Sequence, residues 1–371
     1  MRIAFMSLFE AYPPTSGAAY VTYNCARLMP GESLLVQFAE QARVEHITNL
    51  TVVSVQQRAS SRLAKLISMP RAILQMRREV ARFRPDYVVL EGASWAVYLM
   101  LVAFVLRKSL PSVKIVYHAH NVEYLLRQER DSHVVAALTR IAEKRLLTRS
   151  DLSFAVSQED CDRFSSLYGI VPGLFPNGVD CNTARATPAE IESVRSKFSI
   201  TEESILFMGL YAYPPNTEAV RFLLAEVMPE LHRQRPNIRL VVTGGGPPAS
   251  TPWLINTGVI PRVDLDAVLG ACRAGVAPIL RGSGTRMKIL EYMAAGLPVV
   301  TTRKGAEGLG LEGGKHALYA ETAAEFQNAL LRILGDRSLS ESLTTQATAL
   351  VRSRFDYRPL LSQFAAHLED S

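Results

Sequence analysis

Between Arg281 and Glu291 the sequence sets cations, glycines, hydroxyls and a carboxylate close together, as RGSGTRMKILE. Gly282 and Gly284 let the backbone approach a bound group closely, and the N–H groups that open a following helix point outward with partial positive charge. An anion fits such a loop. Arg281, Arg286 and Lys288 surround it with full charges, and an arginine can fork onto phosphate oxygens with two hydrogen bonds. Glu291 is wrong for phosphate, but a carboxylate one turn inside the helix suits a sugar diol, as the acidic residue of dinucleotide sites suits ribose. Together these residues describe a nucleotide or nucleotide-sugar pocket. Taken alone, the glycines fit a tight turn equally well, with the charges as a solvated rim.

The flanking residues say what must position that loop. GVAPIL reads as a short buried strand, MKILEYMAA as the first turns of a helix and LPVVTT as another buried strand, so the loop is the turn of an α/β crossover. SILFMGL, IRLVVTGGG and INTGVIP are further strands of the second half, with helices at PPNTEAVRFLLAEVMPEL and VDLDAVLGACRA. The first half has the same rhythm. RIAFMSL is a strand; after Pro13, Pro14 and Gly17 comes a helix with Tyr20, Tyr23 and Leu28 on roughly one face; residues 34–55 hold the second and third strands. YVVLEG and VKIVYHAHN are the next strands. Ligands of open α/β sheets bind beyond the carboxyl ends of the strands, which directs attention to His118, His120, Asn121 and Glu123, with His118 read as a core histidine. A chain of 371 residues exceeds one hydrophobic core, and the repeated rhythm predicts two Rossmann-like domains.

The string from Gly275 to Gly308, with HNVE at 120–123 and PNGVD at 176–180, closely resembles the GT-B glycosyltransferases of family 4. That resemblance implies an α/β GT-B fold: two Rossmann-like domains facing each other across a cleft, with a C-terminal helix crossing back to the first. The implied boundaries are 1–178 with helix 352–371 for the acceptor domain and 179–351 for the donor domain. It implies a retaining transferase that moves a sugar from a nucleotide-diphosphate sugar to a glycan, glycolipid or other hydroxyl acceptor, in polysaccharide or surface glycan synthesis. His120 aligns with the family's sugar-contacting histidine, and Lys288 and Glu291 complete the implied catalytic set. Donor contacts are implied for Gly17 in the first loop and for Arg281, Gly282, Ser283, Gly284, Thr285, Arg286, Lys288 and Glu291.

Two departures stand out. The family's usual pair of glutamates is separated by seven residues, and counting back from Glu291 reaches Ser283. In MGLYAYPPN the arginine and lysine that many members use on the diphosphate are missing, which leaves that task to Arg281, Arg286 and Lys288. Loop cations and helix N–H groups can stabilise a leaving phosphate without a metal, so neither a cofactor nor a metal is expected. Asp264 and Asp266 form an Asp-x-Asp, read as a helix cap and a first-turn acid. A sugar-nucleotide epimerase of the same shape and an inactive nucleotide-binding scaffold are the alternatives.

A net charge of +6 and a pI near 9.2 suit phosphate-bearing partners, while the lack of aromatics among the basic residues argues against nucleic acid. Arg58 to Arg84 holds eight positive side chains and only Glu79 against them, along an apolar stripe interrupted at Pro70. It reads two ways, as a peripheral membrane contact or as the solvated outer helix of an α/β domain. ASWAVYLMLVAFVL, from Ala93 to Leu106, falls short of the ~20 residues of a spanning helix and reads as a buried helix. Cys25, Cys161, Cys181 and Cys272 are scattered without metal spacing, and the N-terminus opens as a strand, so a cytoplasmic location is expected, with the inner membrane face as a further option.

Overall fold

In the computed structural model, residues 1–57, 62–92, 95–182, 185–246, 251–281 and 284–370 are described, those at 62–67 by backbone only. Gly282 and Ser283, both expected to bind the donor, lie outside the described residues. The chain divides into two compact units, one of Met1–Asn177 with Tyr357–Ser371 and one of Gly178–Asp356.

In the first unit the strands are β1 (Arg2–Ser7), β2 (Glu32–Ala39), β3 (Arg43–Ile47), β4 (Leu50–Gln56), β5 (Tyr87–Gly92), β6 (Lys114–Ala119), β7 (Leu152–Ala155) and β8 (Gly173–Leu174). They form one sheet in the order β3-β4-β2-β1-β5-β6-β7-β8, parallel except for β3 against β4. The apolar runs make this sheet, because strands covered on both faces by helices need no polar side. β1, β2 and β5 are buried almost throughout. Residues 34–55 were expected to hold two strands and hold three: RVEHI pairs with β4 as an antiparallel edge strand of alternating exposure.

The second unit contains β9 (Ile205–Met208), β10 (Leu240–Thr243), β11 (Leu254–Gly258), β12 (Ala274–Ala277), β13 (Val299–Thr301) and β14 (Leu318–Tyr319), all parallel, in the order β11-β10-β9-β12-β13-β14. Counted along this unit, that is the doubly wound order 3-2-1-4-5-6, and the order reverses between β9 and β12. In the first unit the order reverses between β1 and β5. Ligand crevices of such sheets open at those reversals, beyond the strands' carboxyl ends.

Several helices differ in detail from their expected form. Helix Gly17–Leu28, capped by the Ser16 hydroxyl, buries Ala19, Val21, Thr22, Cys25 and Ala26, whereas Tyr20, Tyr23 and Leu28 are only half-buried. Small residues face inward because this helix packs on the C-terminal helix as well as on the sheet. Helix Arg62–Phe83 runs through Pro70 and buries Met69, Ala72, Ile73, Met76 and Val80, while Leu74 is exposed. The apolar segment after Gly92 gives helix Ala96–Ser109, buried at Ala96, Leu99, Val102 and Leu106 but open at Leu101 and Phe104. Among the described residues no helix is long and apolar enough to cross a membrane. The tail is two helices, Arg337–Arg354 and Tyr357–Glu369, and the latter belongs to the first unit from Tyr357 rather than from residue 352.

Glu123 of HNVE has a structural task. Its two carboxylate oxygens accept the Trp95 and Ala96 amides at 2.7 and 2.8 Å, closing the start of helix Ala96–Ser109 where Trp95 adopts a left-handed backbone with φ of +70°. Glu143 does the same one helix further on, accepting the Glu123 amide at 2.7 Å and the Tyr168 hydroxyl at 2.6 Å. Removing a buried acceptor leaves its donors unsatisfied, at roughly 1–3 kcal/mol each. Glu123→Ala is therefore expected to lower unfolding free energy by about 2–4 kcal/mol in urea titration; a loss below about 1 kcal/mol would show that water replaces the carboxylate.

Candidate functional site

In the second unit the sequence-predicted loop leaves the carboxyl end of β12, beside the reversal at β9. Helix Met287–Ala295 follows it, and its capping residue Arg286 makes no side-chain cap bond; of the first-turn amides, that of Ile289 bonds the Arg286 carbonyl at 2.9 Å. The loop closes through Gly284, whose φ of +75° is a left-handed conformation open to glycine. Arg286 braces the turn, donating to the carbonyls of Gly284 at 2.5 Å and Arg281 at 3.5 Å. Arg281 itself is well exposed, 3.9 Å from Glu218, and Thr285 is half-buried. Tyr292 pins the helix to β9 by accepting the Met208 amide at 2.7 Å.

Lys288 sits where these elements meet. Its Nζ donates to Asn216 Oδ1 at 2.7 Å and lies 4.0 Å from the Phe207 ring centroid. Burial, with the charge of Arg286 acting in the same direction, pulls its pKa down to about 7. The end of β9 leaves room for this ammonium because residue 209 is glycine: a Cβ there would stand 3.0 Å from Lys288 Nζ and 2.8 Å from Asn216 Nδ2. Phe207, Gly209 and Asn216 escaped the sequence reading, although a glycine ending the first strand of a doubly wound unit is a signal in itself.

Glu291, expected to meet a sugar diol, shares its carboxylate with a cation. It is nearly buried, and its Oε2 accepts from Arg262 Nη1 at 2.7 Å, while Arg262 also holds Asp266 at 2.8 Å. Burial pushes the Glu291 carboxyl up and the guanidinium beside it pulls the other way. Asp264, expected as a helix cap, lies in the first turn behind Pro261 and pairs with Lys197 at 2.8 Å. The capping place is taken by Pro261, which makes no side-chain cap bond.

In the first unit, Glu91 and His118 are register partners on β5 and β6, and His120 follows two residues later on the same face. Both histidines and Glu91 are buried. Glu91 Oε2 accepts from Thr22 Oγ1 at 3.3 Å and His118 Nδ1 at 3.2 Å, and closely from His120 Nε2. Burial acts to raise the Glu91 pKa, but the two imidazoles outweigh it and hold the carboxyl at about 2. His120 is lowered by its burial, against the pull of Glu91. The ligand-type atoms of these three residues lie within 4.8 Å of one another, the one grouping among the described residues with the make-up of a metal site. Each imidazole already directs its facing nitrogen at Glu91. Gly17, expected at the donor, opens the helix that carries Thr22.

Residues 202–336 match the family model described as "Glycosyl transferases group 1", and residues 15–183 match that of "Glycosyltransferase Family 4". An uncharacterized 44.6 kDa protein of the cps region of Klebsiella pneumoniae is 22% identical over 235 residues, covering 59% of this chain and 56% of that protein. A phosphatidyl-myo-inositol mannosyltransferase of Propionibacterium freudenreichii is 27% identical over 202 residues, covering 52% and 50%. The chain thus spans about half the length of the curated relatives it matches. Among solved structures, sucrose-phosphate synthase from Thermosynechococcus elongatus superposes with a TM-score of 0.79 at 15% identity, over 100% of this chain and 98% of that one. Anabaena HepE in complex with UDP and glucose gives 0.75 at 18%, over 100% of both chains.

Proposed function

Since the chain belongs to the family 4 glycosyltransferases of the GT-B fold, we propose that it moves a sugar from a nucleotide-diphosphate sugar to a glycan or lipid-linked hydroxyl, with retention of configuration. The observation that carries this is the Lys288 ammonium, held by Asn216 and Phe207 beside a helix start without a side-chain cap. Breaking the bond from sugar to diphosphate builds negative charge on the leaving phosphate, and fixed cations and helix amides stabilise that charge without reorganising. Lys288, Arg281 and the opening turn of helix Met287–Ala295 take this role, and the metal-independence we assign predicts full activity in EDTA. Retention then has the acceptor attack on the face the diphosphate leaves, with the departing phosphate as base.

Glu291 takes the ribose diol on a carboxylate whose Oε2 Arg262 holds in place. His120 contacts the transferred sugar. The relative named as a phosphatidyl-myo-inositol mannosyltransferase, together with the one from a cps region, favours surface glycan or glycolipid synthesis as the setting.

A pH dependence tests the site directly. With a free pKa of about 7, Lys288 is largely neutral at pH 9, yet it must be charged to hold a diphosphate. Binding therefore takes up a proton above pH 7, and affinity falls as pH rises. From pH 7 to 9 the dissociation constant of a nucleoside diphosphate is expected to rise by up to about 50-fold. Calorimetry in two buffers of different ionisation enthalpy reads both quantities; flat affinity with no proton uptake would remove Lys288 from the diphosphate.

A further inference from the structure

Resting on the reading that His120 meets the transferred sugar, we propose that Glu91 is a positioning residue that fixes His120 as its Nε2–H tautomer, so that Nδ1 accepts a hydrogen bond from a sugar hydroxyl. A carboxylate can only accept, so the imidazole nitrogen facing it must carry the proton. That nitrogen is Nε2 in His120 and Nδ1 in His118. The second nitrogens then differ in situation. His118 Nε2 is sealed in the interior with no hydrogen-bond partner among the described residues, whereas the His120 side chain keeps 5% of its surface exposed and its Nδ1 has no hydrogen bond among the described residues.

Register produces this arrangement. Glu91 and His118 face each other across β5 and β6, the β5–β6 pairing brings the His120 amide onto the Gly92 carbonyl at 3.1 Å, and the two-residue period returns His120 to the face of Glu91. Thr22 reaches Oε2 from the helix that follows β1, so elements on both sides of the sheet's reversal converge on one oxygen. Oε1 of Glu91 is buried without a hydrogen-bond partner among the described residues. A buried carboxylate with one oxygen unsatisfied is a poor way to fill a core, since apolar side chains of like volume serve stability as well or better. It is a good way to hold an imidazole in one tautomer and one orientation, which is how outer carboxylates act on functional histidines.

Glu91→Gln keeps the shape but can present an N–H to His120 and so permits the other tautomer. Nucleoside diphosphate release from UDP-glucose and GDP-mannose is compared in wild type, Glu91→Gln, His120→Ala and the double variant. The expected result is a kcat about 10–100-fold lower in Glu91→Gln, with donor KM within about twofold. The double variant should be no slower than His120→Ala alone, because both act through one side chain. Normal kcat in Glu91→Gln beside a slow His120→Ala would overturn the positioning role and leave the reading of His120 standing. Normal kcat in His120→Ala would overturn that reading itself. If Glu91→Gln does not fold, long-range nitrogen–proton NMR of the wild type decides: Nε2-protonated His120 is expected, and an Nδ1-protonated ring overturns the proposal.

Discussion

Lys288→Ala is expected to lower kcat by about 10²–10³-fold, the effect of deleting one preorganised group that stabilises charge at the transition state. Lys288 is fixed before any ligand arrives: Asn216 takes one N–H, the Phe207 face lies against the ammonium, and Gly209 leaves the space. Binding of the unphosphorylated nucleoside should be unchanged, since the charge acts on the diphosphate. Calorimetry with uridine, UDP, guanosine and GDP separates the two. An equal loss for nucleoside and diphosphate would mean that Lys288 supports the fold of the loop and not the leaving group. Asn216→Ala should reproduce part of the loss, because it frees the ammonium without removing it.

His120→Ala is expected to lower kcat by about 10²-fold or more, in the range of positioned polar groups. Nucleotide affinity should stay unchanged, because Lys288, Arg281 and Glu291, the side chains proposed to hold the nucleotide, lie in the second unit. His118→Ala gives the contrast. His118 is fully buried, packs at 5.0 Å against the Phe175 ring and donates to Glu91, so its loss should appear first as lower stability in thermal unfolding. Reversed phenotypes would transfer the sugar contact to His118.

The parallel sheets were legible in the sequence because strands buried on both faces read as unbroken apolar runs, from RIAFMSL to LPVVTT. RVEHI was not, since an edge strand that alternates polar and apolar residues looks like a linker until its partner is known. Helix faces were misread where the partner lies far along the chain. Helix Gly17–Leu28 turns Ala19, Thr22 and Cys25 inward and packs on the helix that begins at Tyr357 as well as on the sheet, and nothing within residues 17–28 announces that partner. Around the loop, the cations and glycines stood together in sequence. Their supports did not: Asn216 reaches Lys288 across 72 positions and Arg262 reaches Glu291 across 29. HNVE was legible as a motif, but only the hydrogen bonds separate its parts, with Glu123 capping a helix while His120 joins Glu91.

The central claim is that the site around Lys288 accepts a nucleotide-diphosphate sugar and releases the diphosphate. The most direct measurement is nucleoside diphosphate release from a panel that includes UDP-glucose and GDP-mannose, for wild type and Lys288→Ala, in EDTA. Slow release by the wild type from at least one donor is expected, accelerated by a hydroxyl acceptor and lost in Lys288→Ala. Tight nucleotide binding with no release from any donor, or release as fast in Lys288→Ala as in the wild type, would contradict it.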